Sequence, residues 1–303
     1  MSDLSNPTTA EAQPESPPTP PLERLSDTLQ DIIKAVIGSN RRPPRRFKSL
    51  LSGTWLGHPL HPLLTDIPIG SWVLAALFDI LWLAGPKFWD WAAQAAVVTV
   101  AVGAVGALAA AGAGLADWSD AYGSERRTGL LHALLNSTAL LLYIISFVFR
   151  IETPDRQSLV GAILGFIGLA TVAVGAYLGG SLVFAKGTGV NHTAWEAGGD
   201  DYVSVMPVAS MPDNQLKRVM VAGVPVALLR LGDRYCAISA TCSHAGGPLN
   251  KGKLEGDVVT CPWHGSRFSM SSGHVLTGPA TIAQPRYDVR VREGQIELKR
   301  LGD

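Results

Sequence analysis

Four stretches of this 303-residue chain, 63–84, 92–116, 130–149 and 158–184, are each predominantly apolar over about 20 or more residues. One helix needs about 20 residues to cross a bilayer's hydrocarbon core. A soluble core helix this apolar belongs only in a far larger protein, so the runs predict four membrane spans. In the fourth run Gly161, Gly165, Gly168, Gly175 and Gly179 share one helical face, and in the second Gly106, Ala110 and Gly114 repeat every four residues. Small residues on one face let membrane helices approach closely, and tight helix contact is the role expected of them.

The flanks differ in kind. Residues 1–21 carry six prolines and no apolar stretch, which predicts a disordered tail and excludes a cleavable signal peptide. Leu22, Leu25, Leu29, Ile32, Ile33 and Val36 then recur at helical spacing. They predict one amphipathic helix, either packed on the bundle or lying on the membrane surface. "RRPPRRFK" (41–48) adds five basic residues. Its prolines, Lys48 and the polar spacer after it argue against a twin-arginine export signal. The helix and basic segment occupy 22–49, the membrane domain 50–185 and a linker 186–200.

Basic residues set the expected orientation. With the N-terminus inside, Arg41, Arg42, Arg45, Arg46, Lys48, Arg126, Arg127 and Lys186 lie on the cytoplasmic side, against Lys87, Arg150 and Arg156 outside. The excess favours a cytoplasmic N-terminus, and four spans return the C-terminus to that side of a bacterial inner membrane. The formal net charge is zero, so nothing argues for a nucleic-acid partner.

After about residue 200 the pattern changes. "RVMVAGVPVALLRLGDRYCAI", "DVVTC", "YDVRV" and "GQIEL" are short alternating runs punctuated by Gly, Asp and Pro, as expected of strands. The fold class is therefore α+β multidomain: a four-helix transmembrane bundle followed by an all-β domain at 201–303.

Three cysteines are too few for a disulfide scaffold. Cys242 and His244 stand two apart, and Cys261 and His264 three apart, on separate glycine-rich loops. Zinc can use two Cys and two His, although it commonly takes them as Cys–Cys and His–His pairs. A Rieske-type [2Fe–2S] cluster takes two thiolates on one iron and two imidazoles on the other, which one Cys and one His per loop can supply. The stretch "CSHAGGPLNKGKLEGDVVTCPWHGSRFSMSSGHVLTGP" resembles a Rieske iron–sulfur domain over roughly 202–300. The resemblance implies Cys242, His244, Cys261 and His264 as cluster ligands. Rieske proteins of cytochrome bc complexes carry an extra cysteine pair, where this chain has Gly247 and Trp263. They also place Ser and Tyr hydroxyls near the cluster, where Ser266 matches and Phe268 does not. The domain is thus more similar to Rieske ferredoxins, and a potential in the lower half of the Rieske range is expected. Cys236 reads as a buried structural thiol.

"GHPLHPLLTDIPIGSW" (57–72) resembles the opening motif of an uncharacterised bacterial four-helix membrane-domain family, over about 50–185. His58 and His61 stand at the mouth of the first span. His132, Asn136 and Tyr143 share a face of the third, Asp117 ends the second, and Asp66 and Asp79 lie in the first. Ionisable residues in spans are costly and mark a site or a paired contact. His58, His61 and His132 either fix helix ends or form a haem, metal or quinone site.

The function expected is a membrane-anchored one-electron carrier that exposes the histidine edge of its cluster to a redox-protein donor and acceptor. The alternatives are a quinol- or haem-linked oxidoreductase subunit with a second redox site in the bundle, or a redox sensor. A terminal oxygenase is not expected, because no further domain remains to hold a mononuclear iron.

Overall fold

The structure, a computed structural model, describes residues 21–38 and 45–302. The proline-rich tail before them and Arg41 and Arg42 lie outside the described residues, as do the side chains of Arg45 and Arg46.

Four helices carry the apolar runs: α3 (Leu60–Ala84), α4 (Asp90–Trp118), α5 (Gly123–Glu152) and α6 (Leu159–Lys186). Each is long and apolar enough to cross a membrane. They pack in a ring in which α4 touches α3 and α5, and α6 touches α5 and α3. That leaves α3 and α5 across the diagonal.

The glycines lie where neighbouring helices meet. A Cβ on Gly103 would meet the Trp72 indole at 2.3 Å, one on Gly168 the Tyr143 ring at 2.8 Å, and one on Gly175 the Asn136 amide at 2.7 Å. Gly114 and Gly179 face the imidazoles of His61 and His132 in the same way. These glycines make room for large side chains of neighbouring helices, which is how the expected tight helix contact is made. Trp72 and Tyr143 stack in the space so made, 4.0 Å apart and 9° from parallel.

Asp79 and Arg150, both 1% exposed, form a bidentate pair at 2.6 and 2.7 Å. Arg150 lies in the last turn of α5. Its guanidinium turns inward to the buried carboxylate, because neither charge is tolerated alone among apolar side chains. Asp66 is exposed on the outer surface of α3.

Among the described residues, two further helices precede the bundle: α1 (Pro21–Ile37) and α2 (Arg45–Leu51). The polar side of α1 meets the bundle. Gln30 Nε2 donates to Trp118 O (2.9 Å) and Ala121 O (2.8 Å), and Asp27 and Glu23 pair with Arg126 and Arg127. Leu25, Ile32 and Val36 point outward. An apolar face turned outward beside a membrane bundle suits a helix lying in the bilayer interface.

The all-β domain has ten strands: β1 (Val203–Pro207), β2 (Leu216–Val221), β3 (Val224–Leu231), β4 (Arg234–Ser239), β5 (Lys253–Glu255), β6 (Val258–Thr260), β7 (Arg267–Ser269), β8 (Val275–Thr277), β9 (Arg286–Arg292) and β10 (Gln295–Arg300). Antiparallel pairing builds one sheet in the order β1-β10-β9-β4-β3-β2 and another in the order β5-β6-β7-β8. One core sits over the larger sheet, with Val226, Leu228, Ile296 and Leu298 at its centre. The other joins Leu229, Ile238, Leu249, Val259 and Phe268 to Cys242 and Cys261.

Candidate metal centre

Two loops leave the sheets side by side, 240–252 after β4 and 261–266 after β6. Their backbones repeat one another. Cys242 N–H donates to Gly247 O and Cys261 N–H to Ser266 O, both at 2.8 Å. Four residues past each cysteine, Gly246 and Gly265 stand at φ +77° and donate back to the cysteine carbonyl. That left-handed conformation is open to glycine at little cost, which is why both loops are glycine-rich. Gly247 has a second constraint: a Cβ there would stand 2.8 Å from Cys261 Sγ.

The loops sort their side chains by type. Cys242 and Cys261 are buried and hydrogen-bonded to one another. The His244 and His264 rings lie 4.9 Å apart at 83°. The hydrogen bond to Cys261, followed by burial, raises the Cys242 thiol pKa. Burial, followed by the His264 charge, pushes His244 down to about 3 and keeps that imidazole neutral. His244 Nδ1 is sealed from solvent with no hydrogen-bond partner, and His264 Nδ1 is buried beside it. A buried nitrogen left without a partner is costly unless something absent here coordinates it. Thiols on one side and imidazole nitrogens on the other could hold a two-iron cluster with unlike irons. Among the described residues no three His, Cys, Asp or Glu side chains converge as around a single ion.

Ser266 is fully buried and accepts a hydrogen bond from Ala280 N–H (3.0 Å), leaving its own proton to donate elsewhere. Phe268 is also fully buried and packs in the core that contains both thiols. Cys236 is half-buried on β4 and is in no disulfide.

The histidine edge turns toward the membrane domain, which corrects the expectation of an edge presented to outside partners. Tyr122, at the start of α5, stacks on His264 with centroids 6.0 Å apart and planes 24° apart. A cavity of about 200 Å³ separates the domains, and its wall includes Pro59, Asp117, Tyr122, His192, His244 and His264. Several contacts hold this arrangement. Lys48, fully buried on α2, bonds Ser119 Oγ and pairs with Asp120, both at 2.7 Å, fixing the turn that carries Tyr122. Ser49 Oγ accepts from Gly278 N–H, Thr54 Oγ1 donates to Ala280 O, and His192 N–H donates to Ser243 O. Sequence reasoning missed Tyr122, His192 and Lys48 as parts of the site, because their partners lie 50 or more residues away.

In the bundle, His61 and His132 come together with ring centroids 6.1 Å apart and planes at 89°. His58 does not join them. It is exposed, and its Nδ1 bonds the carbonyl of the adjacent Pro59. Asn136 lies against His132 and donates to His132 O at 2.8 Å.

Two family profiles match this architecture. Residues 57–192 match the family described as "Predicted membrane protein (DUF2231)", and residues 201–288 match the Rieske [2Fe–2S] domain. Ferredoxin CarAc of Metapseudomonas resinovorans is 33% identical over 96 residues, which is 31% of this chain and 90% of that protein. The ferredoxin component of the naphthalene 1,2-dioxygenase system of Pseudomonas aeruginosa is 28% identical over 32% of this chain and 91% of its own length. The solved ferredoxin of carbazole 1,9a-dioxygenase from Nocardioides aromaticivorans IC177 is 29% identical, covering 32% of this chain and 96% of that one with a TM-score of 0.32. The chain belongs to the Rieske [2Fe–2S] ferredoxins, its Rieske domain following a membrane domain of the DUF2231 family.

Proposed function

We propose that the protein is a one-electron carrier anchored in a bacterial inner membrane, with its Rieske domain on the cytoplasmic face. Cys242 and Cys261 hold one iron, and His244 and His264 hold the other. The observation that carries this reading is the sorting of paired thiols to one side and paired imidazoles to the other. When bound, the cluster supplies a one-electron couple. Ser266 offers its hydroxyl proton to the cluster and Phe268 excludes water beside it. The bundle at 50–185 anchors the chain, 186–200 links it, and 201–303 holds the cluster. Arg126, Arg127 and Lys186 lie at the same end of the bundle as the β domain, which supports the cytoplasmic placement. The partners are a redox-protein donor and acceptor, as for the ferredoxins of dioxygenase systems.

The turning of the histidine edge toward the bundle favours a second reading alongside the first. The membrane domain holds a redox group of its own, haem, metal or quinone, at His61 and His132, and the chain works as a quinol- or haem-linked oxidoreductase subunit. His58 stands apart from that site.

Purified full-length protein, reduced chemically, tests the primary reading by paramagnetic resonance with iron and sulfide analysis. Two irons and two sulfides per chain with a Rieske-type signal are expected. Zinc at the four ligands, with no such signal, would overturn it.

A further inference from the structure

Of the three ionisable side chains on α3, His61 and Asp79 turn into the bundle, to Ala110 O and to Arg150. Asp66 turns out. It is exposed on the outer surface of the helix, and among the described residues it has no ion pair and no hydrogen bond. The helix starts at Leu60, so Asp66 stands about 9 Å along its axis.

The neighbouring helices fix its depth. A Cβ on Gly106 of α4 would meet Ile67 at 2.6 Å and Pro68 at 3.2 Å, so Gly106 and Asp66 share a level. Leu115 lies further along α4, about 14 Å nearer the β domain, and it is still an exposed apolar side chain. Leu63 on α3 itself and Phe184 at the β-domain end of α6 are exposed too. Outward-facing apolar surface therefore continues past Asp66 on three helices. The carboxylate stands within the lipid-facing band rather than at its rim. A charge facing hydrocarbon is costly, and ionisable residues in spans face an interior or a water-filled cavity and pair with a partner. Asp66 does neither among the described residues.

The surface around it is shaped for a helix. Asp66, Gly70, Val73 and Leu77 follow at steps of four, three and four, which sets them on one line along α3. All four are exposed. A Cβ on Gly70 would meet nothing within 4 Å, unlike the glycines inside the bundle, so the line has a notch one turn from the carboxylate. Small residues that let backbones approach, with polar groups that bond across, are what join helices in a bilayer. Lipid tails account for the valine and the leucine but give the carboxylate no partner.

We propose that this line of α3 is the docking surface for a transmembrane helix of a second membrane protein, one that carries an arginine or lysine at the depth of Asp66. Charge complementarity selects that occupant. A second copy docked on the same line about a two-fold axis sets Asp66 against Asp66, like against like. Nor does the chain hold an answering charge on its spans: their Lys and Arg are the buried Arg150 and, at the helix ends, Arg126, Arg127 and Lys186. The inference goes beyond the carrier reading and does not depend on the cluster. It gives the anchor a neighbour within the membrane.

The test reconstitutes the purified full chain in phosphatidylcholine vesicles, whose headgroups offer no N–H donor. The probe is a leucine-rich transmembrane peptide of about 23 residues with one arginine at the depth of Asp66 and a photoreactive group beside it. Saturable crosslinking to α3 around Asp66 is expected, about tenfold tighter than for the same peptide with leucine in place of the arginine. Asp66→Asn should lose that preference and Asp66→Glu should keep it. Gly70→Leu should weaken binding by filling the notch. Equal capture of the two peptides, adducts spread evenly over the four spans, or an unchanged preference in Asp66→Asn would each overturn the proposal. So would a disulfide-linked dimer of Val73→Cys in vesicles without peptide, because the face would then belong to a second copy. Membrane insertion and the reduced-cluster signal should be the same in every variant, which separates a failure of docking from misfolding and from a failure of the Rieske reading.

Discussion

Replacing Ser266 by alanine removes a single hydroxyl from the sealed space beside the two cluster loops. In the folded chain that oxygen is already an acceptor, from Ala280 N–H at 3.0 Å, so its own proton is the part left to serve the cluster. A hydrogen bond to a charged group contributes about 1.5–3 kcal/mol. It strengthens when the cluster gains negative charge, which favours the reduced form and raises the potential. For one electron, about 59 mV is tenfold in equilibrium, and tenfold is about 1.4 kcal/mol. Ser266→Ala should therefore lower the potential by about 50–100 mV, since only the difference between redox states counts. The same variant orphans the Ala280 N–H, at about 1–3 kcal/mol. That cost is common to both redox states, so it lowers thermal stability without moving the potential. A redox titration of the full-length protein, monitored by paramagnetic resonance, separates the two effects. A potential unchanged within about 20 mV, with stability reduced, would refute the reasoning and leave Ser266 as a structural tie to the 278–280 loop.

Phe268→Tyr should raise the potential by about 50–100 mV in the same assay, while overpacking a fully buried position costs about 1–3 kcal/mol in a thermal melt. His244→Ala or Cys261→Ala should abolish cluster assembly and leave the membrane domain inserted, read by iron content and membrane fractionation. A reporter fused after Asp303 should read cytoplasmic and one inserted at Arg156 periplasmic. The reverse pattern would overturn the orientation. Asp79→Ala should destabilise the bundle by about 3–5 kcal/mol by leaving Arg150 buried and unpaired, and the apolar double replacement Asp79→Leu with Arg150→Met should recover most of that loss.

The spans and the two loops that each carry a Cys and a His were legible in the sequence because each has a local signature. Apolar length marks a helix in hydrocarbon, and a Cys and a His two or three residues apart mark a ligand loop. The larger sheet's hairpins were legible for the same reason, through alternation and glycine turns. The short strands β1, β5, β7 and β8 carry three to five residues each, too few for an alternation to stand out. What joins the two halves had no such mark. Tyr122 meets His264 and Lys48 meets Asp120 across long separations, and each is an ordinary polar or aromatic residue until its partner is in place. The pairing of Arg150 with Asp79 had no local mark either, since the two stand 71 residues apart. The glycine face of α6 was legible as a close contact but not in what it contacts. Its regular spacing is the same whether a backbone or a Tyr143, an Asn136 or a His132 fills the gap.

The wall that the bundle places opposite His264 has a kinetic consequence. A stable protein–protein contact covers about 800 Å² on each partner, which a cavity of about 200 Å³ between two domains of one chain cannot offer. A soluble acceptor reaching for the imidazoles must wait for the Rieske domain to swing off Tyr122. Its apparent affinity then falls by the fraction of molecules in the swung-away state, and its electron-transfer rate saturates at the opening rate however much acceptor is supplied. Strain or solvent conditions that loosen Lys48 from Asp120 would therefore speed delivery to a soluble acceptor without altering the cluster loops.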